Sequence, residues 1–125
     1  MKKRFYLSIL LCVFSAAAAF GQRTDTVYLY NGDRITGEIK YLLDNKLSFK
    51  TDRAGTINIE WPSVVKIYSA NYFDVVTSTN QRFYGRLLYA KTPLAVVVEV
   101  GSFSEEKNLH DIVAIDPIKT GYFQQ

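Results

Sequence analysis

Apolar and polar residues alternate with period two in short runs between Thr26 and Ile115, and turn residues cut the runs at short intervals. That is the pattern of half-buried β-strands joined by tight turns. In the first run Val27 and Leu29 share one face, and Tyr28 and Tyr30 the other. Asn31-Gly32-Asp33 follows, where Asn and Gly accept the positive φ of a tight hairpin. Arg34 to Leu42 returns with Ile35 and Ile39 inward. Gly37 lies between them, and a glycine inside a strand marks a bend or a close approach of backbones. Asp44-Asn45 turns the chain again, Leu47 and Phe49 carry a third strand, and Ile57 and Ile59 carry a fourth beyond Asp52-Arg53-Ala54-Gly55. Trp61-Pro62-Ser63 breaks the ladder because proline lacks the N–H. Val65 and Ile67 form a short fifth strand. No stretch beyond the N-terminal leader holds apolar residues at helical spacing long enough for a helix.

The second half repeats the first at an offset of 48 residues. Val27 maps to Val75, Arg34 to Arg82, Ile35 to Phe83, Gly37 to Gly85, Ile39 to Leu87 and Tyr41 to Tyr89. Val64-Val65-Lys66-Ile67 maps to Ile112-Val113-Ala114-Ile115. The offset runs without a gap, so the chain reads as a duplication of a five-stranded, barrel-like unit in which Gly37 and Gly85 play one structural part. A unit this small buries too little surface to be comfortably stable alone, so the copies are expected to support each other or share a partner. The gapless alignment also makes one strand unusual. Leu47 and Phe49 point inward in the first copy, which puts Leu94, Val96 and Val98 outward in the second, with Ala95 and Val97 inward. A strand apolar on both faces is expected to be covered on both. Leu94, Val96 and Val98 are therefore an expected interface with the other copy, a second chain or a following barrel; the plainer alternative is a strand central within its own fold.

The run Val27-x-Leu29-x-Asn31-Gly32-Asp33-Arg34-Ile35-Thr36-Gly37-Glu38-Ile39, with the later Gly55-Thr56-Ile57-Asn58-Ile59-Glu60-Trp61, resembles the opening of bacterial envelope proteins that carry the DUF481 domain. In that family the segment resembles an SH3/Sm-like prelude to an outer-membrane β-barrel, and the resemblance spans most of residues 26–118. It implies an all-β fold, a tandem pair of small five-stranded SH3/Sm-like modules. It also implies a periplasmic or outer-membrane-associated setting, with an envelope protein or outer-membrane barrel, in the same or another chain, as partner. The sequence departs from the family by stopping at Gly121-Tyr122-Phe123-Gln124-Gln125, about where membrane strands would begin. The pattern is also similar to Sm-like RNA-binding folds. Those carry an Arg-Gly pair before the last strand, where this chain has Trp61-Pro62-Ser63 and His110-Asp111.

The N-terminus changes how the charge is read. Met1-Lys2-Lys3-Arg4 is followed by an uncharged stretch from Phe5 to Ala19, the order of a secretory signal peptide. As a helix that stretch would span about 22 Å, short of a hydrocarbon core of roughly 30 Å. Small residues at Ala19 and Gly21 favour cleavage before Gln22. The domains expected are thus a signal peptide over 1–21, modules over 22–69 and 70–118, and a tail over 119–125. Three of the 15 Lys+Arg lie in the leader, so from Gln22 onward 12 basic residues balance 12 acidic ones. The basic pI of about 9.0 therefore argues for no polyanion, and nucleic acid is not an expected partner. The one cysteine, Cys12, lies in the leader behind Leu10 and Leu11, unlike a lipidation site. The mature chain then has no disulfide, thiolate metal site or cysteine nucleophile.

Few residues invite chemistry. His110-Asp111 supplies neither the converging ligands of a metal site nor a base and orienting group in contact. Asp33, Glu38, Asp44 and Asp52 read as turn formers and solvated charges, not as a catalytic pair. No catalytic residue, cofactor or metal is expected. The aromatics say more. Trp61 reads most simply as a core or rim plug beside Pro62, and Tyr28 and Tyr30 as cross-strand packing on the outer face. The sharper reading makes Tyr28, Tyr30 and Trp61 candidates for a ligand groove, as SH3-like modules use aromatic grooves for extended peptides. Two roles follow. One is a non-enzymatic envelope module that packs or assembles, in the extreme as the periplasmic front part of an outer-membrane barrel protein. The other is an SH3-like binder of peptidoglycan or extended peptide. An apolar patch would favour the first and an aromatic groove the second. The exported protein is predicted to begin at Gln22. Intact-mass measurement checks this: a lipid on Cys12 would overturn cleavage before Gln22, and a retained leader would overturn the envelope location as well.

Overall fold

The computed structural model describes residues 24–118, so the leader, Cys12, the cleavage site at Gln22 and the tail over 119–125 lie outside the described residues. The described chain is almost wholly β, with a small closed barrel. The strands are β1 (Asp25–Leu29), β2 (Arg34–Leu43), β3 (Lys46–Thr51), β4 (Thr56–Glu60), β5 (Val64–Thr77), β6 (Arg82–Tyr89), β7 (Ala95–Val100), β8 (Phe103–Asn108) and β9 (Ile112–Pro117). Single 3₁₀ turns at Trp61–Ser63 and Leu109–Asp111 precede β5 and β9. The turns follow the sequence chemistry. Asp44 and Asn45 both take positive φ, 52° and 62°, as a two-residue hairpin loop demands.

Backbone pairing repeats between the halves. Val27 stands opposite Ile35 and Ile67, and Val75 stands opposite Phe83 and Ile115. Leu29 N–H donates to the Asp33 carbonyl and Tyr30 N–H to that of Ser63. Thr77 N–H and Ser78 N–H do the same to Gln81 and Asp111. The two copies nevertheless share one wall. The boundary expected between residues 69 and 70 falls inside β5, whose first part pairs with β1 and whose second part pairs with β9. The barrel closes through the circuit β1–β2–β9–second part of β5–β6–first part of β5–β1. Two cross-copy links complete it, Leu42 opposite Ile115 and Ser69 opposite Leu87. One continuous core results, with Val27, Ile39, Phe49 and Ile67 of the first copy packed among Phe73, Leu87, Val98 and Ile115 of the second. β3 and β4 extend from β2, β7 and β8 extend from β6, and β4 and β8 are the free edges.

Gly37 and Gly85 occupy matching places. A Cβ on Gly37 would stand 2.1 Å from the Lys50 carbonyl oxygen, and one on Gly85 would stand 2.5 Å from that of Glu99. Lys50 and Glu99 are 49 residues apart, not 48, and this corrects the gapless alignment. β2 carries a bulge between Ile39 and Tyr41 that β6 lacks and is two residues longer than β6, while the β6–β7 loop is three residues longer than the β2–β3 turn. The net shift is one residue. A one-residue shift turns every side chain of a strand to the opposite face. Val96 and Val98 therefore take the places of Leu47 and Phe49 and are buried in the core, 0% and 1% exposed, so they form no outward interface. Leu94 alone of that trio is open, 45% exposed, and it ends the loop rather than joining the strand. It matches Asn45: both have left-handed backbones, and their carbonyls accept from Leu109 N–H and Trp61 N–H.

Trp61 is the second correction. It is 2% exposed, and its Nε1–H donates to the Ile112 carbonyl at 3.0 Å, so it plugs the core and lines no groove. The 3₁₀ turn folds it inward, as the matching turn does for Leu109. Lysine at position 96 would bury an unpaired ammonium, and Val96→Lys is expected to cost at least about 3 kcal/mol. Val97 stands half-buried opposite Glu106, so Val97→Lys is expected to cost less than about 1 kcal/mol. Urea unfolding of both variants checks the register, and equal losses would restore the gapless alignment.

Candidate binding groove

The first copy places a row of side chains on the outer sheet face. Tyr28 on β1 stands opposite Arg34 on β2 and Lys66 on β5, and Thr26 stands opposite Tyr68. Directly opposed residues share a face. Tyr89, at the end of β6, completes the group. Its ring stacks on Tyr68 at 5.0 Å and meets Tyr28 edge-on at 6.2 Å. The Lys66 ammonium lies 5.5 Å from the Tyr28 ring centre and 5.2 Å from that of Tyr89, within cation–π range. Burial foremost, and then the neighbouring Tyr28 hydroxyl, push the Tyr89 phenol above its ordinary value of 10.0, while Thr26 and Arg34 pull the other way.

Beside this group runs a groove of about 540 Å³. One wall is Tyr28, Leu29 and Tyr30, the base is Val65 and Lys66, and the facing wall is the loop from Ala90 to Ala95. The size suits a ligand site, and the lining is mostly apolar, with two lysines and no carboxylate. Tyr30 is 77% exposed, because the turn it enters carries it past the sheet. Leu94 holds φ of 59°, a left-handed backbone unusual for a bulky residue. Of the residues singled out in the sequence, Tyr28, Tyr30 and Leu94 thus meet in one groove, while Trp61, Val96 and Val98 lie in the core.

The other candidates serve the fold. Asp33 accepts from the Asn31 amide, Asp52 from the Thr36 hydroxyl, and Glu38 pairs with Lys40 at 3.3 Å. Asp44 sits in the hairpin turn. His110 places Nε2 2.9 Å from the Val64 carbonyl and its ring edge-on to Trp61. Among the described residues no three His, Cys, Asp or Glu side chains gather as a metal site would require. Sequence reasoning passed over Asp25, a fully buried carboxylate that accepts from Ile39 N–H at 2.8 Å, Ser69 Oγ at 2.6 Å and Asn71 Nδ2 at 3.3 Å. It shares the inward parity of Val27 and Leu29, and that parity was the available signal. Lys66, Tyr68 and the loop from Ala90 were also missed, because only the folded circuit brings them to Tyr28.

No protein-family model matches the chain, and neither a curated protein nor a solved structure does.

The raised Tyr89 phenol fixes a pH dependence. The folded state holds this proton more tightly than the unfolded chain, so the stabilisation is complete below pH 10 and is lost as pH rises through the raised value. Ultraviolet titration is expected to show one tyrosine ionising late, a step absent from Tyr89→Phe. An unchanged titration in that variant would contradict the assignment.

Proposed function

We propose that the protein is a non-catalytic module of the cell envelope that assembles with other envelope components by holding an extended peptide segment in this groove. The observation that carries the reading is the meeting of Tyr28, Tyr30 and Leu94 on one apolar, open-ended groove. Rigid tyrosines supply contact area at low entropic cost, and aromatic-lined grooves are a recurring way to hold extended peptides. The packing alternative has less to stand on, because Val96 and Val98 lie inside the protein.

Between peptide and glycan, the lining favours peptide. Sugar hydroxyls want carboxylate and amide side chains to bond with, and Leu29, Val65, Pro93 and Leu94 offer none. The envelope setting rests on the leader and on the likeness of the Val27–Ile39 and Gly55–Trp61 segments to DUF481 proteins, which also suggests an outer-membrane barrel as the source of the peptide.

A display library of random short peptides, selected against the purified protein, is expected to yield binders with alternating apolar side chains. Tyr30→Ala and Leu94→Ala are each expected to weaken them roughly tenfold, the equivalent of about 1.4 kcal/mol. No enrichment, or binders indifferent to both changes, would refute the groove as the site.

A further inference from the structure

Half of the cations among the described residues are matched. Lys40, Lys46, Arg82, Arg86 and Lys107 each pair with a carboxylate. Arg34, Lys50, Arg53, Lys66 and Lys91 do not: among the described residues no carboxylate lies within ion-pair distance of any of them. Lys50 and Arg53 stand apart on β3 and its following turn, whereas Arg34, Lys66 and Lys91 gather at the groove. Arg34 and Lys66 flank Tyr28 in the sheet, Lys66 and Lys91 line the groove, and no Asp or Glu lines it.

The other copy supplies an internal control. Its counterpart of Arg34 is Arg82, which is neutralised at 3.2 Å by Asp74, and Asp74 stands where the first copy has Thr26. Lys66 corresponds to Ala114, Tyr28 to Val76 and Tyr68 to Asp116. One backbone pattern thus carries a balanced surface on one side and an unbalanced, cationic and aromatic one on the other. Packing alone gives no reason for the difference, since Arg34 and Lys66 are both exposed.

We infer that the surface around Arg34, Tyr28 and Lys66, with Lys91 on the facing loop, seats the carboxylate of an acidic side chain carried by the bound peptide. The inference rests on the peptide-binding reading above and adds the anchor. Lys66 is already held over the Tyr28 and Tyr89 rings, so little of its freedom remains to be lost when an anion arrives. The rings also shield one side of the ammonium from water, which strengthens a charge-assisted hydrogen bond on the other. The phenols of Tyr28, Tyr68 and Tyr89 add neutral O–H donors to the same surface. An acidic residue set among apolar ones matches this lining: the apolar side chains lie along Leu29, Val65 and Leu94, and the carboxylate turns to the cations.

The test uses an array of short apolar peptides synthesised in matched pairs, with Glu or Gln at one position, and the purified protein. A charge-assisted bond predicts that the Glu members bind about tenfold more tightly than their Gln partners. The gap is expected to close in about 0.5 M salt, where screening is strong. Lys66→Gln and Lys91→Gln should each close it too, whereas Lys50→Gln, an exposed cation on β3, should leave it intact. Equal binding of Glu and Gln peptides would overturn the carboxylate anchor and leave the groove reading standing. Binding to no member of the array would overturn both. Binding of polygalacturonate in place of the peptides would overturn the proposal in favour of an anionic glycan.

Discussion

The structure depends on one constraint: neither copy can close its own barrel. β2 must find the last strand of the other half, and β6 must find the last strand of the first. The long strand β5 makes this feasible by ending one copy and beginning the next without a break. Closure pairs strand edges that would otherwise stand open, and it joins two small cores into one. The buried Asp25 belongs to this arrangement. Its carboxylate ties β1 to β2 and to the irregular stretch of β5 around Ser69 and Asn71, where the ladder gives up regular pairing. A carboxylate so deep is tolerable because its oxygens are met by donors.

Strand and turn positions were legible because each half has one buried face, and a buried face imposes strict alternation. The asparagines and glycines of the turns were legible because few residues accept their backbone angles. Register between the copies was not. A bulge and a longer loop leave hydrophobicity unchanged, and Ala95 to Val98 are apolar at every position. Such a strand carries no parity signal, and the one-residue shift shows only in the pairing of Val96 with Tyr89. Trp61 was equally silent, since an aromatic beside a proline looks the same whether it fills a core or rims a groove. Half of the groove was visible as Tyr28 and Tyr30. The other half, Lys66 with the loop from Ala90 to Ala95, is far away in sequence and joins only through the circuit.

The repeated pairing pattern lets the two outer faces differ at little cost to the fold. The internal positions of the two copies match closely, Val27 with Val75 and Ile67 with Ile115, because both line one core. The external positions have parted: Val76 stands in place of Tyr28, Ala114 in place of Lys66 and Asp116 in place of Tyr68. Outward strand positions tolerate exchange with small effects on stability, so the outer faces could diverge while the interior stayed fixed.

The shared strand has a consequence for how such a molecule comes together. A chain carrying one copy alone could complete this ring only by finding a second chain, and its folding would then depend on concentration. The continuous backbone of β5 replaces that encounter with an intramolecular one. The local concentration is set by the chain itself, so closure is insensitive to how dilute the protein becomes. Two copies in one chain are thus a different material from two chains of one copy each.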